Sequence, residues 1–280
     1  MSILFPNSVL LSAEAETIQP LTHARIGYDS IARTGALTAS SETFGFPAIA
    51  AREPDTYSAW RPASVPATWE IQSAQPEEVD FLGIASHDLY SSGAAVALES
   101  SDDGETWVTQ YEAAPGSDDP FMFLITPVTA LYWRVRVTGA VATIGVIYIG
   151  LSLAMQRPIY GGITPITLGR ETVIRPQTSE RGQFLGRSII RAGVSFQASW
   201  RHLLPAWYRE NFDPFVLSAR RRPFFIAWRP LSYPAEVGYM WTQGDITPSN
   251  MGMGAGMMQV SLSCMGISKV DAESAALITS

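Results

Sequence analysis

A chain of 280 residues is long enough for two cores, since single hydrophobic cores seldom grow past about 250–300 residues. With 46% hydrophobic and 16% charged residues the composition is globular, and a formal net charge of -7 speaks against general nucleic-acid binding, which draws on cationic side chains. Cys264 stands alone, which excludes a disulfide framework and a thiolate metal cluster.

Residues 1–6 carry neither a basic n-region nor a long apolar run, so no signal peptide is expected. The most apolar stretch, residues 141–155, is interrupted by Gly145 and Gly150 and is too short for a bilayer span. It reads as two buried strands. The expectation is a soluble chain, made in a cytoplasm, without membrane insertion.

Residues 1–21 hold one strand-like run, Ile3-Leu4-Phe5 and Val9-Leu10-Leu11. Short apolar runs follow at 25–28, 68–71, 79–85, 96–98, 131–137 and 142–151, separated by loops rich in Ser, Ala and Pro. Many short runs between turn residues are the signature of a β-sandwich. Within them, Asp103-Gly104 predicts a hairpin, because a primed turn needs φ > 0 and Gly supplies it without steric cost. Val96 and Leu98 before it, and Trp107, Thr109 and Tyr111 after it, are expected to share an inward face.

After Met155 the pattern changes. Residues 157–162 have turn chemistry and mark a linker over 154–163. Strands are predicted at 172–176 and 188–200, then a helix over about 200–218 built on Leu203, Leu204, Trp207, Phe212 and Phe215. Pro205 and Pro214 limit each helical piece to a couple of turns. Strands at 223–228, 238–242 and 258–264 close the chain, with a Gly/Met-rich loop over 249–257. Acidic residues (Asp102, Asp103, Glu105, Asp118, Asp119) crowd the first half. Arg187, Arg191, Arg201, Arg209, Arg220, Arg221, Arg222 and Arg229 form a basic block in the second.

No catalytic constellation assembles from the sequence. His23, His87 and His202 are far apart, Cys264 in an alternating strand reads as an inert core thiol, and no nucleophile elbow, P-loop or dinucleotide fingerprint occurs. The pairs Asp102/Asp103 and Asp118/Asp119 lie in turns, where Asp caps backbone N–H groups. A glycosidase pair and a loop-held Ca²⁺ at Asp118 and Asp119 are the alternatives. No enzyme, and no cofactor beyond such a Ca²⁺, is expected.

Aromatic loop residues carry the binding expectation. Sugar rings stack on aromatic faces while their hydroxyls bond to polar groups. Tyr57, Arg61, His87, Tyr90 and Phe121 fall at predicted loop or strand-edge positions, whereas Trp60 reads as core. His87 also has the simpler reading of a satisfied turn histidine. Arg220, Arg221 and Arg222 are placed at the helix end, where cations complement the dipole. With Met251, Met253 and Met257, whose thioethers adapt to irregular contacts, they are the expected interface between copies.

Two resemblances attach to these motifs. The run Ser101-Asp102-Asp103-Gly104-Glu105-Thr106-Trp107, the strand Trp69-Glu70-Ile71 and the later Tyr132-Trp133-Arg134-Val135 resemble the discoidin (coagulation factor 5/8 type C) family of galactose-binding-like jelly rolls. That resemblance implies a recognition module over 22–153. Residues 164–268, with a helix leading into Arg221-Arg222-Pro223-Phe224-Phe225-Ile226-Ala227-Trp228, resemble the tail-tube-like sandwich of siphophage distal and minor tail proteins. There the jelly roll comes second; here it comes first, inserted after the N-terminal strand, which is expected to join the C-terminal sandwich.

Together they imply an all-β chain of two sandwiches with one flanking helix and a C-terminal tail at 269–280. The implied role is structural, in a bacteriophage tail tip: a hexameric or trimeric ring contacting tail tube and hub, assembled in the host cytoplasm into the virion. The jelly roll would face a host-surface glycan. The competing reading is a free-standing carbohydrate-binding protein, or the binding module of a glycan-active enzyme.

Overall fold

The computed structural model describes residues 9–11, 21–252 and 256–267. In chain order its strands begin with β1 (Val9–Leu11), β2 (Arg25–Gly27), β3 (Ala36–Ala39), β4 (Ala67–His87), β5 (Ala95–Ser101), β6 (Val108–Ala113), β7 (Phe121–Thr138) and β8 (Ile144–Gly150). They continue with β9 (Leu153–Ala154), β10 (Arg170–Thr178), β11 (Phe184–Leu203), β12 (Phe224–Ala227), β13 (Val237–Thr242), β14 (Ser249–Asn250) and β15 (Met258–Gly266). One sheet runs β3-β4-β7-β5-β6, with β8 on β4 and β1 on β7; the other runs β10-β11-β15-β13-β12-β2-β9, with β14 on β15. The chain is all-β, as expected.

The first sheet folds onto itself. β4 and β7 pair along most of their length, broken between Gln72 and Glu77 and between Val79 and Phe81. Before the breaks Trp69 and Ile71 point inward; after them Leu82 and Ile84 do. The irregularity shifts the period-2 phase, so Phe81 and Ala85 face outward into a different cluster. Inner residues of both halves share one core with Trp60, Phe121, Phe123, Trp133, Val135 and Val137. Ala67 lies opposite Val137 and Ile84 opposite Phe121, and just past β4 the Asp88 amide donates to the Thr143 carbonyl just past β7, so both ends of β4 and both ends of β7 meet at one end of the sandwich. This is a jelly-roll arrangement, with the loops gathered at that end.

The hairpin expected at Asp103-Gly104 joins β5 to β6, and Gly104 has φ 77°. Its connection is longer than a two-residue turn. The Asp103 carboxylate accepts from the Glu105 and Thr106 amides and from the Ser101 hydroxyl. A register shift at Leu98/Glu99 also breaks the expected inward face: Tyr111 is buried, but Thr109 is exposed and Trp107 lies half-buried under the Arg134 guanidinium, 3.9 Å from its ring centroid.

Two expectations about domain boundaries are corrected. The Val9–Leu11 part of the N-terminal run joins the jelly roll, in parallel with Met122–Leu124 of β7, and not the C-terminal sandwich. That half of β7 pairs with β4 on one side only, and β1 fills the open edge. Ile3–Phe5 lies outside the described residues, as does the tail at 269–280. Conversely, β2 and β9, assigned from sequence to the ends of the jelly roll, pair with each other, and β2 pairs with β12. After β1 the chain therefore enters the second sheet at Arg25, leaves it at Gly27 and returns at Leu153. Apart from β1, the jelly roll is an insertion.

One face of the second sheet is covered by a helical segment at 205–219. Phe212, Phe215, Trp200, Phe224, Met240 and Cys264 meet in that core. The helix starts later than expected because β11 continues to Leu203, turns at His202 (φ 61°), and only then meets Pro205 at the first helical position. Pro214 has no N–H to give the preceding turn, and Tyr208–Phe212 widens into a π-turn. The expected linker is not free: the Tyr160 amide donates to the Ser199 carbonyl at 2.8 Å, and Arg201 stacks on the Tyr160 ring.

The opposite face of the second sheet packs on the outside of the jelly roll. Phe225, Ala227, Val237 and Tyr239 bury against Phe81, Ala85, Met122, Leu124, Val146 and Tyr148. A buried ion pair crosses the same boundary. Arg25 of β2 stands 3.6 Å from Asp80 of β4, whose two oxygens also accept from the Ser152 amide and hydroxyl. The two units are thus three stacked β layers, with two apolar cores and a mixed seam.

Candidate functional site

The loop end of the jelly roll is assembled by polar side chains. The Asp88 carboxylate accepts from the Thr143 amide at 2.6 Å, and Asp118 Oδ1 accepts from the Tyr90 and Ser91 amides at the start of the short helix α1 (Leu89–Ser92). The Ser86 hydroxyl donates to the Thr56 carbonyl at 3.0 Å, and Trp60 bridges Ile144. Four loops are tied together in this way. The carboxylates do backbone capping, as their turn positions implied, and no group of three or more His, Cys, Asp or Glu able to hold a metal occurs among the described residues.

Of the five sugar-binding candidates, two are corrected. His87 is buried: its Nδ1 accepts from the Leu89 amide at 3.3 Å and its Nε2–H donates to the Asp119 carbonyl at 2.9 Å. With both ring nitrogens used internally, it is the satisfied turn histidine. Phe121 is also buried, edge-on to His87 with ring centroids 5.1 Å apart, because β7 begins there on its inward phase.

Tyr57, Arg61 and Tyr90 are exposed at this end, Tyr57 at 99% and Tyr90 at 59%. Tyr57 is presented by a built turn. Asp55 Oδ1 accepts from the Tyr57 and Ser58 amides at 3.0 and 2.7 Å, and those bonds hold its carboxyl below the usual range. Trp60, as expected, is fully buried.

Sequence reasoning passed over Phe44. It stands free of the protein at 102% exposure, on a turn where Thr43 and Phe46 bridge and Gly45 takes φ 84°. The Thr43 amide donates to the Arg61 carbonyl, so Phe44 and Arg61 belong to one loop patch. The legible signal was Thr43-Phe44-Gly45-Phe46, two aromatics around a glycine in an otherwise small-residue loop.

The other candidates divide. Arg220 forms an exposed ion pair with Asp245, Nε to Oδ1 at 3.2 Å, inside its own chain. Arg221 is exposed beyond the helix, and Arg222 faces a groove between the two units. Met251 and Met257 are half-buried and paired across their loop, and the His202 amide points at the Met251 sulfur. Met253 lies outside the described residues. Cys264 is buried, and burial pushes its thiol up to about 12. Arg134 and Arg136, on the strand that carries one resemblance, clamp Glu99 at 2.6 and 2.8 Å. Their role is structural.

No family model matches the chain, and no curated protein matches it in sequence. Solved structures do align with part of it, three carbohydrate-binding modules among them. One is a pectin-binding carbohydrate-binding module, at 20% identity and TM-score 0.36, over 41% of this chain and 89% of that one. Another is chitosan-binding module 1 of a chitosanase/glucanase from Paenibacillus sp. IK-5, at 21% identity and TM-score 0.38, over 43% and 98%. The third is CpGH89CBM32-5 from Clostridium perfringens in complex with GalNAc-β-1,3-galactose, at 13% identity and TM-score 0.39, over 44% and 100%. At such scores the likeness carries neither fold nor function, which rest on strand register and surface geometry.

Proposed function

We propose that the jelly roll is a non-catalytic glycan-recognition module. The observation that carries this is the set of loop-end aromatics, Phe44, Tyr57 and Tyr90, held out in solvent by structured turns, with Arg61 bonded through its carbonyl to the Phe44 turn. Exposed flat rings beside a guanidinium suit the apolar faces and hydroxyls of sugars. The test is a glycan array on the full chain, repeated with Phe44→Ala, Tyr57→Ala and Tyr90→Ala. Array hits lost by these variants support the module; hits that all three retain overturn the site.

A second reading, assembly of copies in a bacteriophage tail tip, is favoured by the β10–β11 hairpin. Between Phe184 and Gly193 the pair has no third strand among the described residues, yet Phe184, Leu185 and Ile190 are 68%, 66% and 64% exposed. A two-stranded ribbon is marginal in water, and exposed apolar edges are templates for pairing. Charge favours contacts between unlike halves. Residues 1–153 hold 6 Arg against 18 Asp and Glu, whereas 154–280 hold 13 Arg and Lys against 8 acids. Head-to-tail contacts of this kind generate rings where the rotation between copies closes. In this reading the ring, hexameric or trimeric, sits between tail tube and hub in the virion and displays the jelly roll to the host surface. Sedimentation of wild type beside Leu185→Lys/Ile190→Lys tests it: a ring that falls to monomer is expected, and a monomeric wild type overturns it.

A further inference from the structure

Between the jelly roll and the second unit runs a groove of about 930 Å³, which shares Arg33 and Arg222 with a smaller cavity of about 250 Å³. We propose that this continuous groove binds an acidic oligosaccharide, with a uronate carboxylate in the arginine cavity and the following sugar rings along Trp207. The proposal rests on the glycan-recognition reading but uses a different surface.

Three guanidiniums, Arg33, Arg52 and Arg222, line the smaller cavity. Arg33 is paired with Asp29, and Arg52 donates to the Arg33 carbonyl. Among the described residues neither Arg52 nor Arg222 has an ion-pair partner, and Glu53 is the one carboxylate on the wall. Burial first, and then the like charge of the neighbouring Arg222, push the Arg33 guanidinium down. Low-dielectric walls focus such a field on an incoming anion. Planar guanidinium forks match a carboxylate in two parallel hydrogen bonds.

The long arm of the groove has different chemistry. Trp207 packs against Phe212, ring centroids 6.4 Å apart, and remains half-buried along the groove, which the exposed Leu151 also lines. That pair is a platform for the apolar face of a pyranose ring. Glu77, Glu78 and Glu210 line the same arm and offer carboxylate oxygens to hydrogen bonds donated by sugar hydroxyls. Asp29, paired with Arg33, also lines this groove, so the acid group is drawn to Arg222 and Arg52 and held away from the carboxylates.

The experiment is calorimetric titration of the full chain with β-1,4-linked triglucuronic acid, with cellotriose, which differs from it only in bearing CH₂OH for each carboxylate, and with inorganic phosphate. Triglucuronic acid is expected to bind about tenfold or more tighter than cellotriose, the range of one or two charge-assisted hydrogen bonds. Arg52→Gln/Arg222→Gln should erase that preference, and Trp207→Ala should weaken both sugars. Tyr57→Ala/Tyr90→Ala should leave the preference intact, which separates failure here from failure at the loop end. Equal affinity for the two sugars, a preference that survives loss of both arginines, or phosphate binding as tight as the acidic sugar would overturn the assignment.

Discussion

The ring of Phe225 lies against the backbone of Gly83, so close that a Cβ at residue 83 would stand 2.7 Å from Cδ2. Gly83 sits on the outward face of β4 between Phe81 and Ala85, and Phe225 on β12 projects from the second sheet. The same seam brings Gly27 of β2 against Phe81, where a Cβ would stand 2.4 Å from the ring. Two glycines, one on each sheet, let the layers approach.

Gly83→Val should therefore overpack the seam, at a cost of about 1–3 kcal/mol. Thermal unfolding followed by circular dichroism is the check. Phe225→Leu in the same background should recover part of the loss, because it shortens the group that clashes. An unshifted melting temperature for Gly83→Val would show that the sheets do not meet there.

The Arg25–Asp80 pair makes a second prediction for the seam. Both side chains are almost fully buried, at 3% and 2% exposure. Asp80→Ala leaves a buried guanidinium without its partner and the Ser152 amide without its acceptor, and should cost about 3–5 kcal/mol. Urea denaturation measures it. Replacing both residues by apolar ones of similar volume should cost far less than the single change.

Glu99 predicts an acid-sensitive jelly roll. Burial alone would raise its carboxyl, but hydrogen bonds from Arg136 and Arg134 outweigh burial and hold it below its ordinary value. A carboxyl depressed in the folded state contributes stability above its unfolded value, near pH 4.5, and loses it as pH falls through the folded value. Melting temperatures recorded from pH 7 downward should drop below about pH 4.5. The Glu99→Gln variant should be less stable at pH 7 and lose less on acidification; parallel curves for the two proteins would contradict the clamp.

At the β5–β6 connection, Gly104 combines φ 77° with a Tyr132 ring that a Cβ would meet at 3.3 Å. Gly104→Val should cost about 1–3 kcal/mol, because β-branched residues reach positive φ only under strain. Gly104→Asn should be milder, since Asn tolerates that region. Equal melting temperatures for Val and wild type would remove the turn from the fold.

Local chemistry was readable residue by residue. Asp103-Gly104 announced a turn, short apolar runs marked parts of β4 and the second half of β7, and an alternating run marked β15, because a strand facing one core repeats every two residues. Pro205 and Pro214 announced a broken helix, and Trp60 and Cys264 were read as core. What escaped was phase and partnership. An irregularity between Val79 and Phe81 decides which of two apolar faces looks inward, and nothing local reports it. The same holds at the loop end, where β7 begins on its inward phase and takes Phe121 out of the candidate surface, while Phe44 is thrust out on a turn set by the Arg61 carbonyl 17 residues away.

By itself, then, the amino-acid order determined an all-β chain, the position of its hairpin, and the capping role of its paired acids, since each depends on neighbours a few residues apart. Only the tertiary structure decided that β2 and β9 belong to the second sheet, that Val9–Leu11 completes the jelly roll, and that Arg33, Arg52 and Arg222 line one cavity. Strand partners, burial phase and the meeting of distant charges are set by which edges and apolar faces remain open once the layers stack. That is a property of the whole assembly of strands, and no short stretch of chain encodes it.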